Sequence, residues 1–133
     1  MPVKNELAAD FVFTQQSIKT FETCPMKFKR IYIDGYKWQP LLNEDERDRI
    51  ERGNDFHLAA HRYFLNIDTG VDVKEENSDL PLWLDSLKQR FCMDGSKKYL
   101  SEYKLRFIGN GLRLEANYDL IIIDNSTVEI WDW

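Results

Sequence analysis

Cysteine is scarce in this chain, with only Cys24 and Cys92 among 133 residues. Far apart in sequence, the two offer no disulfide framework and fit a reducing compartment, so a cytoplasmic location is expected. Long apolar runs are missing too. The longest aliphatic stretch is "LIII", residues 120–123, far too short to span a bilayer, so no membrane partner is expected. The opening "MPVKNELAAD" carries charges where a secretory signal needs its apolar centre, so no export signal is expected. A basic excess is also lacking: 18 Lys and Arg against 23 Asp and Glu leave a net charge of -5. That balance argues against a simple nucleic-acid coat, which is basic overall. It does not exclude a nuclease, because carboxylates gathered for metal binding make a free chain acidic. The sequence shows no internal repeat and no low-complexity tract.

With 43% hydrophobic and 14% aromatic residues, the chain has enough apolar surface for a core. Its length corresponds to one domain or part of one. "FTQQSIKTFETCPMKFKRIYIDGY" reads as two short helical pieces. Ser17 is the expected N-cap of the first, Ile18 and Phe21 begin its apolar face, and Pro25 interrupts it. Pro25 then sits early in the second piece, which carries Phe28 and Ile31 at helical spacing. "NEDERDRIERGNDFHLAAHRYFL" is the clearest helix, with Asn43 and Glu46 in a capping-box pattern and acidic residues crowding the first turn. A polar loop is expected over "NIDTGVDVKEENSD", followed by an amphipathic helix from Leu80 to Met93 with Leu84, Leu87 and Phe91 on one side.

After "DGSKK" the apolar period changes from helical to alternating. "YLSEYKLRFI", "LRLEANYDLIII" and "TVEIWDW" read as three strands, joined by "GNG" and "DNS". "GNG" supplies the positive φ angles of a tight hairpin. The expected fold is therefore α+β, with residues 1–98 mainly helical and 99–133 an antiparallel three-strand meander.

Alternation along the second of these strands puts Arg113, Glu115, Asn117 and Asp119 on one face and Leu112, Leu114, Ala116, Tyr118 and Leu120 on the other. Beyond Asp119 both faces turn apolar, as in a strand entering a buried sheet. A carboxylate at that boundary is costly unless a cation or a donor meets it; a solvated strand end, or a pair with Arg113, is the simpler alternative. Asp132 continues the row of Val128 and Ile130, and two strands joined by a short turn can bring two carboxylates to one hard cation. A charge protecting an edge strand is the competing explanation. On the long helix, Ile50, Gly53, His57, Ala60 and Phe64 form one stripe, so His57 points toward the core side, either as a ligand or as a hydrogen-bonded core histidine. His57 and His61 also have a zinc-like spacing, but the glutamate of an H-E-x-x-H motif is missing. Glu102 shares a strand face with Lys104 and Arg106, which suits a solvated surface, and Cys24 before Pro25 suits a buried cysteine at a helix break.

Taken in order, these pieces resemble the PD-(D/E)XK nuclease superfamily, and within it the RecB/Cas4-like branch. "SIKTFETCPMKF" is similar to its opening through Ser17, Cys24, Pro25 and Phe28, and "GNDFH" to its helix signature through Gly53 and His57. "SEYKLRF" supplies Glu102, and "ANYDLIIID" resembles the aspartate strand, with Ala116 where glycine is usual. "VEIWDW" resembles the last motif through Asp132 and Trp133, with the motif lysine expected as the residue after Trp133.

The resemblance implies a single incomplete nuclease-like domain over 1–133, truncated from a restriction-endonuclease-like core. It implies Mg²⁺ or Mn²⁺ held by His57, Asp119 and Asp132, with Asp119, Asp132 and Glu102 as the catalytic acids. Phosphodiester hydrolysis on DNA follows, in repair, recombination or CRISPR-type processing. Without the lysine the chain as given is expected to cleave poorly or not at all. Some relatives hold an iron-sulfur cluster through a cysteine near Cys24; none is expected here. The alternative is a nuclease-derived module that binds nucleic acid or a partner protein without cutting. A partner protein, or the remaining C-terminal part of the same protein, is an expected contact. A zinc protein built on His57 and His61 ranks last.

Overall fold

The computed structural model describes residues 6–37, 39–71 and 79–133. Among these the order is β1 (Val12–Thr14), α1 (Gln15–Thr23), α2 (Pro25–Phe28), a π-helical turn (Lys29–Ile33), α3 (Glu44–Phe64), α4 (Leu80–Arg90), β2 (Lys98–Gly109), β3 (Leu112–Asp124) and β4 (Thr127–Trp131). Four helices and four strands make an α+β fold. The polar loop expected after α3 reaches into residues 72–78, which lie outside the described residues.

The sheet corrects the expected three-strand antiparallel meander: it has four strands and is mixed. β3 pairs with β2, and β4 is antiparallel to β3 with Leu120 opposite Trp131 and Ile122 opposite Glu129. The added strand is β1, which runs parallel to β3 with Phe13 opposite Leu114. Three residues, "VFT", are too few to show a period of two, so only the partner strand reveals β1. The β2–β3 turn has Asn110 at φ 51° and Gly111 at φ 76°. Positive φ at both central residues matches the strand twist in a two-residue hairpin, which is the role expected of "GNG". Asn125, at φ 49°, serves the β3–β4 turn.

Two compact units emerge, Met1–Leu41 with Lys104–Asn117 and Leu42–Tyr103 with Tyr118–Trp133. In the first, α1 starts earlier than expected. Thr14 is its N-cap: the Thr14 hydroxyl accepts the Ser17 N–H at 3.2 Å, and the Ser17 hydroxyl accepts the Thr14 N–H at 2.9 Å. Ser17 is thus the third helical residue of a capping box, because the extended residue that can accept this N–H lies three positions before it. Ser17 and Thr20 are the buried residues of α1, whereas Ile18 and Phe21 are half exposed. Cys24 is only partly buried, and its sulfur caps α2 by accepting the Lys27 N–H at 3.4 Å, with Pro25 at the first helical position. Phe28 is buried among Phe11, Phe21 and Tyr32.

The second unit holds the larger apolar core. α3 opens on the expected capping box, Asn43 accepting from the Glu46 N–H and Glu46 from the Asn43 N–H, each at 2.9 Å. Its first turns are exposed, Ile50 included, so the predicted stripe becomes a buried face only from Gly53 onward. Ala59, Ala60 and Phe64 then pack with Leu84 and Leu87 of α4 and with Leu120 and Ile122 of β3. α4 stops at Arg90, three residues short of the expected Met93, and Phe91 closes against the cluster. Burial of this kind contributes on the order of 25 cal/mol per Å² of apolar surface. Val128 and Ile130 do not join it; both stand more than half exposed on β4. The site forms where α3, β2 and β3 leave this core.

Candidate metal centre

Three elements of the second unit deliver one side chain each. From α3, His57 lies one turn before the buried Ala60, so its ring leaves the core at the helix edge. From β3, Asp119 immediately precedes the fully buried Leu120. From β2 comes Glu102. Ligand atoms of His57, Glu102 and Asp119 all lie within 4.8 Å of one another. His57 Nδ1 is 3.3 Å from Glu102 Oε1 and 3.4 Å from Asp119 Oδ1, so one imidazole atom faces two carboxylates. Asn54, Leu58 and His61 of α3 complete a cleft of about 380 Å³ around them.

Glu102 arrives by a route that strand alternation does not give. Its φ is +50°, in the left-handed region. There a non-glycine residue costs roughly 1–2 kcal/mol. The backbone turns at this point, as bulged strands do, and re-aims the side chain. Glu102 thereby leaves the solvated row expected with Lys104 and Arg106; Arg106 instead meets Glu115 at 2.7 Å.

Asp119 is the most enclosed of the three, its side chain 13% exposed against 36% for His57 and 43% for Glu102. Its Oδ2 accepts the backbone N–H of Trp133 at 2.7 Å, leaving Oδ1 directed at His57. Burial pushes the Asp119 carboxyl above its ordinary value of 3.8, helped by the hydrogen bond and charge of Asp132. The Trp133 N–H and His57 pull the other way without reversing the direction. Arg113 takes no part: it donates to the Ala9 carbonyl at 3.2 Å.

Asp132 lies just past the end of β4, solvent-exposed. One further step of the Leu120–Trp131 register places it opposite Asp119, and the two carboxyls interact. It flanks the three-residue cluster rather than forming part of it. Trp133, the neighbour of Asp132, packs into the aromatic core: its ring is 6.2 Å from Phe64, nearly parallel, and 6.5 Å from His57. His61 lies outside the cluster of His57, Glu102 and Asp119. Its Nδ1 is 2.7 Å from Ser101 Oγ, a contact that sequence reading missed because serine in a strand carries no signal of its own.

The donor set fits a hard divalent cation. Ligands about 2.1 Å from one ion at right angles lie roughly 3 Å apart, close to the two separations measured from His57. Within the cluster the basic side chain that faces both Glu102 and Asp119 is His57. Two carboxylates and one imidazole make a mixed oxygen and nitrogen donor set of the kind that holds a divalent metal.

A family model described as the PD-(D/E)XK nuclease superfamily matches residues 12–133. No curated protein and no solved structure matches the chain.

Proposed function

The chain belongs to the PD-(D/E)XK nuclease superfamily, and on that premise we propose that His57, Glu102 and Asp119, flanked by Asp132, form the Mg²⁺ or Mn²⁺ site of a DNA nuclease of the RecB/Cas4-like branch. Nucleases of this superfamily are hydrolases that depend on divalent metal. The observation that carries the reading is the meeting of three ligand atoms, from three separate elements, within 4.8 Å. Bound there, the ion would lower the pKa of a water and offset charge on the phosphate.

The chain's own residues supply the rest. His57 ligates only when Nδ1 is free of its proton; otherwise that proton holds the two carboxylates together at 3.3 and 3.4 Å. The Trp133 N–H fixes Asp119 Oδ2, so the carboxylate cannot rotate away when the cleft is empty of cation. Core packing below Leu120 and Trp133 excludes water from one side of Asp119, while exposed Glu102 and Asp132 leave the other side open to a phosphodiester strand. Asp132, whose carboxyl interacts with that of Asp119, would accept a proton from the attacking water.

Binding of Mn²⁺, read by electron paramagnetic resonance, and cleavage of end-labelled single- and double-stranded DNA test this reading. One site per chain is expected, with at least tenfold weaker binding in Asp119→Ala. Equal Mn²⁺ binding by parent and variant would remove Asp119 from the site. Mn²⁺-dependent DNA binding without cleavage would favour the non-cutting module over the enzyme.

A further inference from the structure

We propose that Ser101 and His61 are positioning residues that hold the break in β2 through which Glu102 reaches the cation site. The inference rests on the metal-site reading above and concerns residues outside the three-residue ligand cluster.

Successive contacts along the second unit lead to it. Tyr99 of β2 stacks on Phe64 of α3 with ring centroids 5.9 Å apart and planes 16° from parallel. Two residues on, Ser101 Oγ lies 2.7 Å from His61 Nδ1, one helical turn back. Alternation would next bring Tyr103 to α3. Instead Glu102, the immediate neighbour of Ser101, reaches His57 at 3.3 Å, a further turn back. Adjacent residues of a regular strand point to opposite faces, so Ser101 and Glu102 can both face α3 only if the backbone departs from strand geometry between them. The departure is the φ of +50° at Glu102.

A glutamate keeps a left-handed backbone only where its surroundings over-determine it. Ser101 is the last residue before the break, and its short bond to His61 fixes the strand against α3 at that point. Because His61 and His57 belong to one face of one helix, anchoring Ser101 on the first ring sets where Glu102 stands relative to the second. Without the anchor, β2 can relax toward regular alternation. Glu102 would then swing out toward Lys104, and the site would lose one of its two close carboxylates.

The test measures Mn²⁺ affinity and metal-free stability in the whole chain. Ser101→Ala and His61→Ala should each weaken Mn²⁺ binding by roughly 10- to 100-fold, as loss of a residue behind a ligand does. The double variant should be no worse than either single one, because both remove the same bond. Ser101→Thr and His61→Asn, which keep a hydroxyl or a short polar group in place, should stay within about threefold of the parent. A folded His61→Ala or Ser101→Ala with the parent's affinity overturns the proposal, as does a double variant whose loss is the product of the singles. If one alanine variant fails to fold, the other, compared with its conservative counterpart, still decides it.

A metal-free arm separates this inference from the metal reading. Glu102→Gly suits the left-handed backbone and should raise the thermal midpoint in chelator by roughly 3–6 °C. The same change made in Ser101→Ala should give a smaller rise, since the relaxed strand no longer holds the strained angle. Equal rises, or a fall in the first case, contradict the proposal. A parent chain that takes no Mn²⁺ overturns the metal reading, while this arm still decides whether the bond holds the break.

Discussion

Replacing Asp119 by asparagine should stabilise the metal-free protein and abolish its response to metal. The Asp119 side chain is 13% exposed and shares a space of 4.8 Å with Glu102 and His57. Two like charges at about that separation repel by about 3 kcal/mol at an effective dielectric constant near 20. The exposure of Glu102, the nearby imidazole and the Trp133 N–H reduce this to a net cost on the order of 1 kcal/mol. Asparagine keeps the oxygen that accepts the Trp133 N–H and removes the charge. The thermal midpoint in chelator should therefore rise by roughly 3–5 °C in a chain of this size. With Mn²⁺ at a hundredfold excess over its Kd the parent gains about 2.7 kcal/mol and the variant almost nothing, so their order reverses. The pH dependence carries a definite sign. Because the folded carboxyl has a raised pKa, its contribution to stability is complete below the ordinary value of 3.8 and is lost as pH climbs through the folded value. The gap between variant and parent should accordingly open across that window and close in acid. Differential scanning fluorimetry over a pH series, with and without Mn²⁺, reads all of this. A variant less stable than the parent in chelator at neutral pH, with equal metal shifts in both, would refute the electrostatic account of the site.

Four other changes probe the site and its surroundings. His57→Ala removes the only nitrogen of the ligand cluster and should weaken Mn²⁺ binding at least tenfold by electron paramagnetic resonance titration, with circular dichroism unchanged. Leu120→Ala empties a position with 0% exposure beside Asp119 and should cost about 3 kcal/mol or more in urea unfolding. Asn43→Ala breaks the reciprocal cap of α3 and should cost about 1 kcal/mol, whereas Ile130→Thr, at a site 56% exposed, should stay within about 0.5 kcal/mol.

What could be read in advance followed from how local each cause is. The α3 cap needs only Asn43 and Glu46, three residues apart, and the hairpin needs only Asn110 and Gly111, so both were visible in the sequence. Asp119 was visible because its surroundings change from alternating to wholly apolar within the same strand. β1 was hidden because its identity depends on β3, a hundred residues away in sequence. The start of α1 was misread because either of two hydroxyls can cap a helix, and extended backbone at Thr14, with φ -111°, decides between them. The apolar row of Val128 and Ile130 suggested a covered face that the structure leaves open. Glu102 was assigned to the site by family resemblance, while its alternation pointed to solvent. The resolution is one backbone angle, which no side-chain pattern encodes.

Trp133 gives the site an optical reporter of its own. Its indole lies within the aromatic core and its N–H has no hydrogen-bond acceptor among the described residues, while its ring is 6.5 Å from the His57 imidazole. An ion captured by Nδ1 would sit beside this indole and alter its emission. Emission from this one tryptophan, isolated by replacing the others, thus becomes a direct titration curve for the cleft, with no label and no substrate added.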